Sequence, residues 1–372
     1  MGELRARLLS RDGWPYALLP FIPVAVGLEL AHGDPSLIFA TSALGVVPTA
    51  ALMGRATEEL ADRSGPGIGG LLNVTFGNLP ELLIAVFALR AGLQEVVKAS
   101  IMGSILGNIL LVLGGAMLVG GLGRDSQTFN GRAASAQATM LMLASAALVM
   151  PAVFAVVEGG GLPVPGAERA DYSSSVEQLS LAVALVLLLS YSAGLWFSLK
   201  SHRDLFNPPE DEGWEEDAEP WSVKRSVILL AGAGLAVGLM SEILVGSIED
   251  TAESVGLSQF FIGIIIVAIV GNAAEHWVAV YVAFKDKMDL AVNIAVGSSA
   301  QVALFVGPLL VVLSFFFGPD PLALVFNGFE LAGLLLAVLI ASHVAREGES
   351  TWFEGLLLLA VYTVMAITFL FA

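Results

Sequence analysis

Residues 260–284 read FFIGIIIVAIVGNAAEHWVAVYVAF. A run of this length and apolarity is long enough to cross about 30 Å of hydrocarbon as a helix. Yet Glu275 and His276 stand side by side in its middle. A charged side chain at that depth costs at least about 2.5–3.5 kcal/mol. Such residues face a protein interior and carry function by default.

The rest of the chain agrees with a membrane setting. Of 372 residues 56% are hydrophobic and only 14% charged, where a soluble domain carries about 25% charge. Continuous apolar runs argue for helices, since a barrel would show short alternating segments. No cysteine is present, so disulfide and thiol chemistry are excluded. The net charge of −17 argues against a nucleic-acid partner.

Cutting the apolar windows at Gly, Pro and charge clusters predicts an all-α polytopic protein of about eleven spans. Their limits are 14–31, 35–53, 66–89, 96–121, 133–156, 176–199, 222–246, 257–284, 288–315, 321–343 and 351–371. The N-terminus carries Arg5, Arg7 and Arg11, which together with its apolar run suits a first span or a signal peptide; it is read as a span. The N-terminus and the loops on its side hold 14 of the 17 basic residues. Arg90, Lys98 and Arg169 are assigned to the other side. This asymmetry predicts a cytoplasmic N-terminus and an external C-terminus.

The Gly-Asn-x-x-Glu pattern occurs twice, at Gly77–Glu81 and Gly271–Glu275, offset by 194 residues. The same offset pairs Glu59 with Glu253, Gly69 with Gly263, and Gly103-Ser104 with Gly297-Ser298. A further echo, Phe-Asn-Gly at 129–131 and 326–328, has an offset of 197. Several matches without a gap indicate a duplication. With five spans in each half, the second half is inverted, an architecture common in secondary transporters. The expected organisation is a leading helix (1–31), a first five-helix repeat (32–199), an acidic cytoplasmic linker (200–221) and a second repeat (222–372). The linker stretch 207–220 has seven acids and no base. It lacks the EF-hand spacing, so a solvated linker is the expectation.

Pseudo-symmetry should bring Glu81 and Glu275 face to face at the midplane. Asn78 and Asn272 precede them by three residues and share their helix faces. Gly77 and Gly271 are expected either to unwind a turn and expose carbonyls, aided by Pro80 in the first motif, or to allow close packing. Ser104, Asn108, Ser298 and Gln301 offer further polar groups on the neighbouring spans. His276 is a candidate proton relay or a packing residue. Glu59 and Glu253, near span ends, are candidates for guiding cations inward.

Two carboxylates with amide, hydroxyl and carbonyl oxygens make a hard site, suited to calcium or manganese. One histidine without thiolates makes zinc a poor fit. The same carboxylates can take protons, because loss of water favours the neutral carboxyl. Two Glu⁻ balance one divalent cation or two protons, so either loaded state is neutral and the bare site is not. That arithmetic favours obligatory exchange. Two protons are the minimum count, and His276 is the candidate for a third. A cation channel is the competing class; an intramembrane protease is not supported, since His-Glu-x-x-His is absent.

At these residues the chain resembles the cation/proton exchanger family, the calcium/proton antiporters of the calcium:cation antiporter superfamily. GGLLNVTFGNLPELLIAVFAL (69–89) and GSILGNILLVLGG (103–115) look like its first repeat. FFIGIIIVAIVGNAAEHWVAV (260–280) and GSSAQVALFVGP (297–308) look like its second. The resemblance implies export of calcium against protons by alternating access, with no cofactor, in a lipid bilayer. It implies that the third, fourth, eighth and ninth spans line the site and that Glu81 and Glu275 are its carboxylates. Leu79-Pro80 departs from the small residues usual there. Sodium coupling, as in the sodium/calcium exchangers, is the alternative, although those proteins use Ser/Thr-rich motifs and lack a Glu-His pair. A prokaryotic plasma membrane is the expected location.

Overall fold

The computed structural model describes residues 13–166, 172–201 and 221–372. The helices are α1 (Phe21–Leu30), α2 (Pro35–Gly77), α3 (Leu79–Arg90), α4 (Gln94–Gly121), α5 (Gly131–Val157) and α6 (Ser174–Trp196). They continue as α7 (Val223–Gly246), α8 (Ile248–Val255), α9 (Gln259–Phe284), α10 (Met288–Ser314), α11 (Gly328–Glu347) and α12 (Trp352–Leu370). A two-residue strand, β1 (Gln127–Thr128), pairs antiparallel with β2 (Glu349–Ser350). Among the described residues nine helices are long and apolar enough to cross a bilayer. The predicted basic residues Arg5, Arg7, Arg11 and Arg169, and the acidic stretch 207–220, lie outside the described residues.

α4 and the N-terminal part of α9 form the interior of the bundle with α10, and α5 and α11 pack around them. α6 and α12 are mostly outward-facing, with Leu189, Val364 and Ile367 exposed for lipid. Helix caps are specific. Asn130 and Asn327, the two asparagines of the Phe-Asn-Gly echo, each cap the N-terminus of the following helix. The duplicated triplet is thus a start signal for α5 and for α11.

Several predicted boundaries need correction. The second and third spans were expected to be separated by a loop, but helical hydrogen bonding runs from Pro35 to Gly77. The helix is not straight. A Cβ on Gly69 would stand 2.5 Å from the carbonyl oxygen of Ala61, whereas eight residues of straight helix advance about 12 Å. The chain therefore bends back sharply between these residues without leaving helical hydrogen bonding. The first span, expected over 14–31, is a 3₁₀ turn at Trp14–Leu18 followed by the short α1.

The tenth span was expected to begin at 321, yet α11 starts at Gly328. Residues Leu322–Phe326 are extended and fully buried. Irregular backbone at membrane depth survives only where the protein itself satisfies it. Here Ser314 Oγ accepts from Leu322 N at 2.7 Å and Ser180 Oγ from Leu324 N at 3.0 Å. Lys98 Nζ donates to the Val325 carbonyl at 2.9 Å, and Gln94 Nε2 to that of Asp320 at 3.1 Å. Lys98 was counted among the basic residues of the far side. It lies one turn inside α4 and is 1% exposed. Its charge is spent on structure, with the Tyr172 ring 5.5 Å away.

Candidate functional site

The two Gly-Asn-x-x-Glu motifs meet, although they fold differently. In the first, the helix breaks at Asn78, which has φ −95° and ψ 13° and separates α2 from α3. Pro80 sits in the first turn of α3, where its missing N–H is tolerated. In the second, the expected unwinding does not occur: α9 runs helically through Gly271. Ala273-Ala274 are strong helix formers, whereas the first motif has Leu79-Pro80. The irregularity of the second half lies upstream, as a π segment at Ile262–Val267. Two more π segments, Gly107–Val112 in α4 and Val302–Val306 in α10, follow the Gly-Ser pairs. Such wide turns often mark functional sites.

The glutamates are placed reciprocally. Glu81 Cγ lies 3.3 Å from where a Cβ on Gly271 would be. Glu275 Oε1 lies 3.8 Å from where one on Gly77 would be. The Glu81 stem thus rests on Gly271, and a carboxylate oxygen of Glu275 lies over Gly77. Both acids line one cavity of ≈ 550 Å³, together with Gly77, Gly271, Ser298 and Gln301. Ser298 Oγ donates to Glu275 Oε2 at 3.3 Å.

Amides and hydroxyls link the surrounding helices. Asn78 Nδ2 donates to Gln301 Oε1 at 2.7 Å, joining the first motif to α10. Asn272 Nδ2 donates to Ser104 Oγ at 3.0 Å and to the Ala268 carbonyl at 2.9 Å, joining the second motif to α4. The two asparagines therefore each tie their motif to the helix that follows the other motif, through partners that are not repeat counterparts. Glu81 Oε2 and Asn272 Oδ1 are buried acceptors without a hydrogen-bond donor among the described residues. Buried acceptors of this kind suit a cation or a proton. No group of three or more acidic or imidazole side chains converges on a metal position among the described residues. The available donors are two carboxylates with neutral oxygens.

His276 points to the side of the carboxylate cluster. Its Nε2 pairs with Asn108 Oδ1 at 3.2 Å, and its ring packs over Gly107, at the start of the α4 π segment. Asn108 Nδ2 has no partner among the described residues.

The predicted approach residues part company. Glu59 lines the cavity and accepts from the Trp221 backbone N–H at 2.8 Å. Glu253 lies exposed on the short α8, near the span end where it is expected, and does not line this cavity. Sequence reading missed Glu58 and Asp62, which line the cavity beside Glu59 on one face of α2. Their spacing of four residues is a signal that could have been used. It also missed Gln137 and Asn293, whose amides meet in the cavity wall, Gln137 Nε2 donating to Asn293 Oδ1. Trp14 and Trp277 close another part of the wall, with ring centroids 5.5 Å apart.

Comparison with known proteins finds relatives that match over nearly the whole chain. The family model described as sodium/calcium exchanger protein matches residues 35–200 and 225–371. The Ca(2+)/H(+) antiporter ChaA of Bacillus subtilis is 45% identical over 350 residues, covering 94% of this chain and 96% of the relative. A Ca(2+)/H(+) antiporter of Aphanothece halophytica is 41% identical over 379 residues, covering 98% of each. The solved structure of native YfkE superposes with a TM-score of 0.81 at 40% identity, covering 96% of this chain and all of that one.

Proposed function

The chain belongs to the sodium/calcium exchanger protein family, and on that premise we propose that it is a secondary antiporter that moves Ca²⁺ against H⁺ across a membrane. The observation that carries the reading is the reciprocal seating of Glu81 and Glu275 at one cavity, each against the other motif's glycine. Close relatives over nearly the whole chain are Ca²⁺/H⁺ antiporters.

In this reading the two carboxylates are the shared site. Ca²⁺ takes six to eight oxygens, so the carboxylates would be supplemented by the Ser298 hydroxyl, the Asn78, Asn272 and Gln301 amide oxygens, and water. Protonation of both glutamates neutralises the same site that one Ca²⁺ neutralises. Crossing with two bare buried charges is disfavoured, which couples the two fluxes. Ser104 and Asn108 fix the helices that carry the site. His276 acts on helix placement through Asn108 rather than as a cation ligand. Glu58, Glu59 and Asp62 form an acidic wall that raises the local cation concentration.

The two halves, 32–199 and 222–372, act as inverted repeats behind a leading helix. The wide cavity opens beside Arg55, Asp62 and the start of α10, the side that the basic-residue count assigns to the cytoplasm. The protein is an integral membrane protein, and the charge rule puts its N-terminus inside. Manganese fits the same donor set.

Transport in proteoliposomes, with pH, sodium and voltage set separately, tests the function. Calcium uptake should require an opposing proton gradient and be indifferent to sodium. Uptake at full initial rate after collapse of the proton gradient would instead favour a channel. Uptake driven by a sodium gradient alone would favour sodium exchange.

A further inference from the structure

A second cavity, of only ≈ 10 Å³, lies on the other side of Glu81. Its lining includes Glu81, Ile84, Ser100 and Ser104. Adding the repeat offset of 194 gives Glu275, Val278, Ile294 and Ser298, all of which line the wide cavity. Four residues that line the narrow cavity therefore have their repeat counterparts in the wall of the wide one, the first cavity collapsed and the second open.

The walls differ in the same sense. In the collapsed half, Gly103 lies so close to the Ile264 carbonyl that no side chain could be added, and Gly263 lies against Ala99 and Val96. Val96 and Ala99 are 1% and 0% exposed. Their counterparts Leu290 and Asn293 are exposed, Leu290 by 37%. Gly297, the counterpart of Gly103, faces Gln137 Nε2 and Asn293 Oδ1 instead of a second backbone. Gly69, the counterpart of Gly263, rests on Ala61 of its own helix. Asn293 is held away from the seat that Ala99 occupies in its own half, and the side chain that holds it is Gln137 on α5.

We propose that the Gln137–Asn293 bond is a latch that keeps the wide cavity open, and that its release lets α10 close on the N-terminal half of the third span as α4 already closes on α9. The latch breaks the symmetry of the repeats by design of sequence: the first half has the small apolar Ala99 where the second has Asn293. Gln137 is a positioning residue, since it contacts neither carboxylate among its recorded bonds. The proposal rests on the antiport reading above, because it takes the two cavities as alternates of one another.

The chain has no cysteine, so single thiols can report on each cavity. Ile294→Cys reports on the wide one and Ser100→Cys on the narrow one, each read as its reaction rate with a polar maleimide on the full chain in detergent. In the parent, conditions that slow one thiol, set by calcium and by pH, should speed the other. Adding Gln137→Leu, or separately Asn293→Ala, should lower the Ile294→Cys rate and raise the Ser100→Cys rate, changing the ratio of the two by roughly three- to tenfold, the weight of one hydrogen bond. Reciprocal parent reporters with an unchanged ratio in both variants would overturn the latch and leave the antiport reading intact. Parent reporters that fail to respond reciprocally would overturn the pairing of the cavities, and the latch with it. Asn293→Ala, at an exposed position, keeps the test available should Gln137→Leu fail to fold.

Discussion

Glu81 reaches Gly271 so closely that its Cγ stands 3.3 Å from the place a Cβ there would occupy. The converse approach, Glu275 to Gly77, is looser at 3.8 Å. Glycine in these motifs therefore makes room for a carboxylate arriving from the other half of the protein, and the two positions differ in how much room remains.

That difference is measurable. Gly271→Ala should displace Glu81 and cost about 1–3 kcal/mol at the site, the usual range for overpacking. Calcium affinity should fall roughly tenfold. Gly77→Ala adds a methyl at ordinary contact distance and should change affinity by less than about threefold. Calcium titration of the two variants decides the matter, and equal effects would show that the spacing is immaterial.

Removing either charge should stop exchange. In Glu81→Gln and Glu275→Gln a single carboxylate faces the divalent cation, and losing one partner of a buried charge pair costs about 3 kcal/mol or more. Calcium-driven proton release in vesicles should drop by at least about 100-fold in each. Near-normal exchange by Glu275→Gln would remove the two-carboxylate site from consideration.

His276 and Asn108 provide a stability test separate from transport. His276→Leu leaves the Asn108 amide buried without its partner and should lower thermal stability by about 1–2 kcal/mol. The double change His276→Leu with Asn108→Leu removes both polar groups and should recover part of that loss. Additive losses in the double variant would mean that the pair is not coupled.

Repeat-related glycines should respond unequally to a methyl. Gly103→Ala would drive a Cβ into the Ile264 carbonyl and should destabilise the protein by about 3 kcal/mol or more, near the upper range for a forced insertion. Gly297→Ala would meet the movable tip of Gln137 at 3.1 Å and should cost less than about 1.5 kcal/mol. Thermal unfolding in detergent compares them directly. Equal costs would contradict the unequal closure of the two halves.

Much of this was legible in the residues. The two motifs at a constant offset named Glu81, Glu275, Asn78 and Asn272, and each of the four lines the wide cavity or cross-links its helices. Ser104, Asn108, Ser298 and Gln301 were found from their place one span later. Glu253 is found near a span end, as expected, but a repeat offset cannot say which cavity, if any, its acid faces. Gln137 escaped notice because it belongs to no motif and meets Asn293 from a helix 156 residues away.

By itself the sequence determined what is local or periodic: the apolar runs that cross a bilayer, the triplets that start α5 and α11, and the pairing of motifs. Hydrophobic length and side-chain chemistry act residue by residue, so they can be read along the chain. Only the tertiary structure decided which half of the duplication is closed, that Lys98 and its neighbours hold residues 321–327 extended inside the bundle, and that Gly271 has less room than Gly77. Which of the two halves packs tightly is set by contacts between distant helices, and no single stretch of chain carries them.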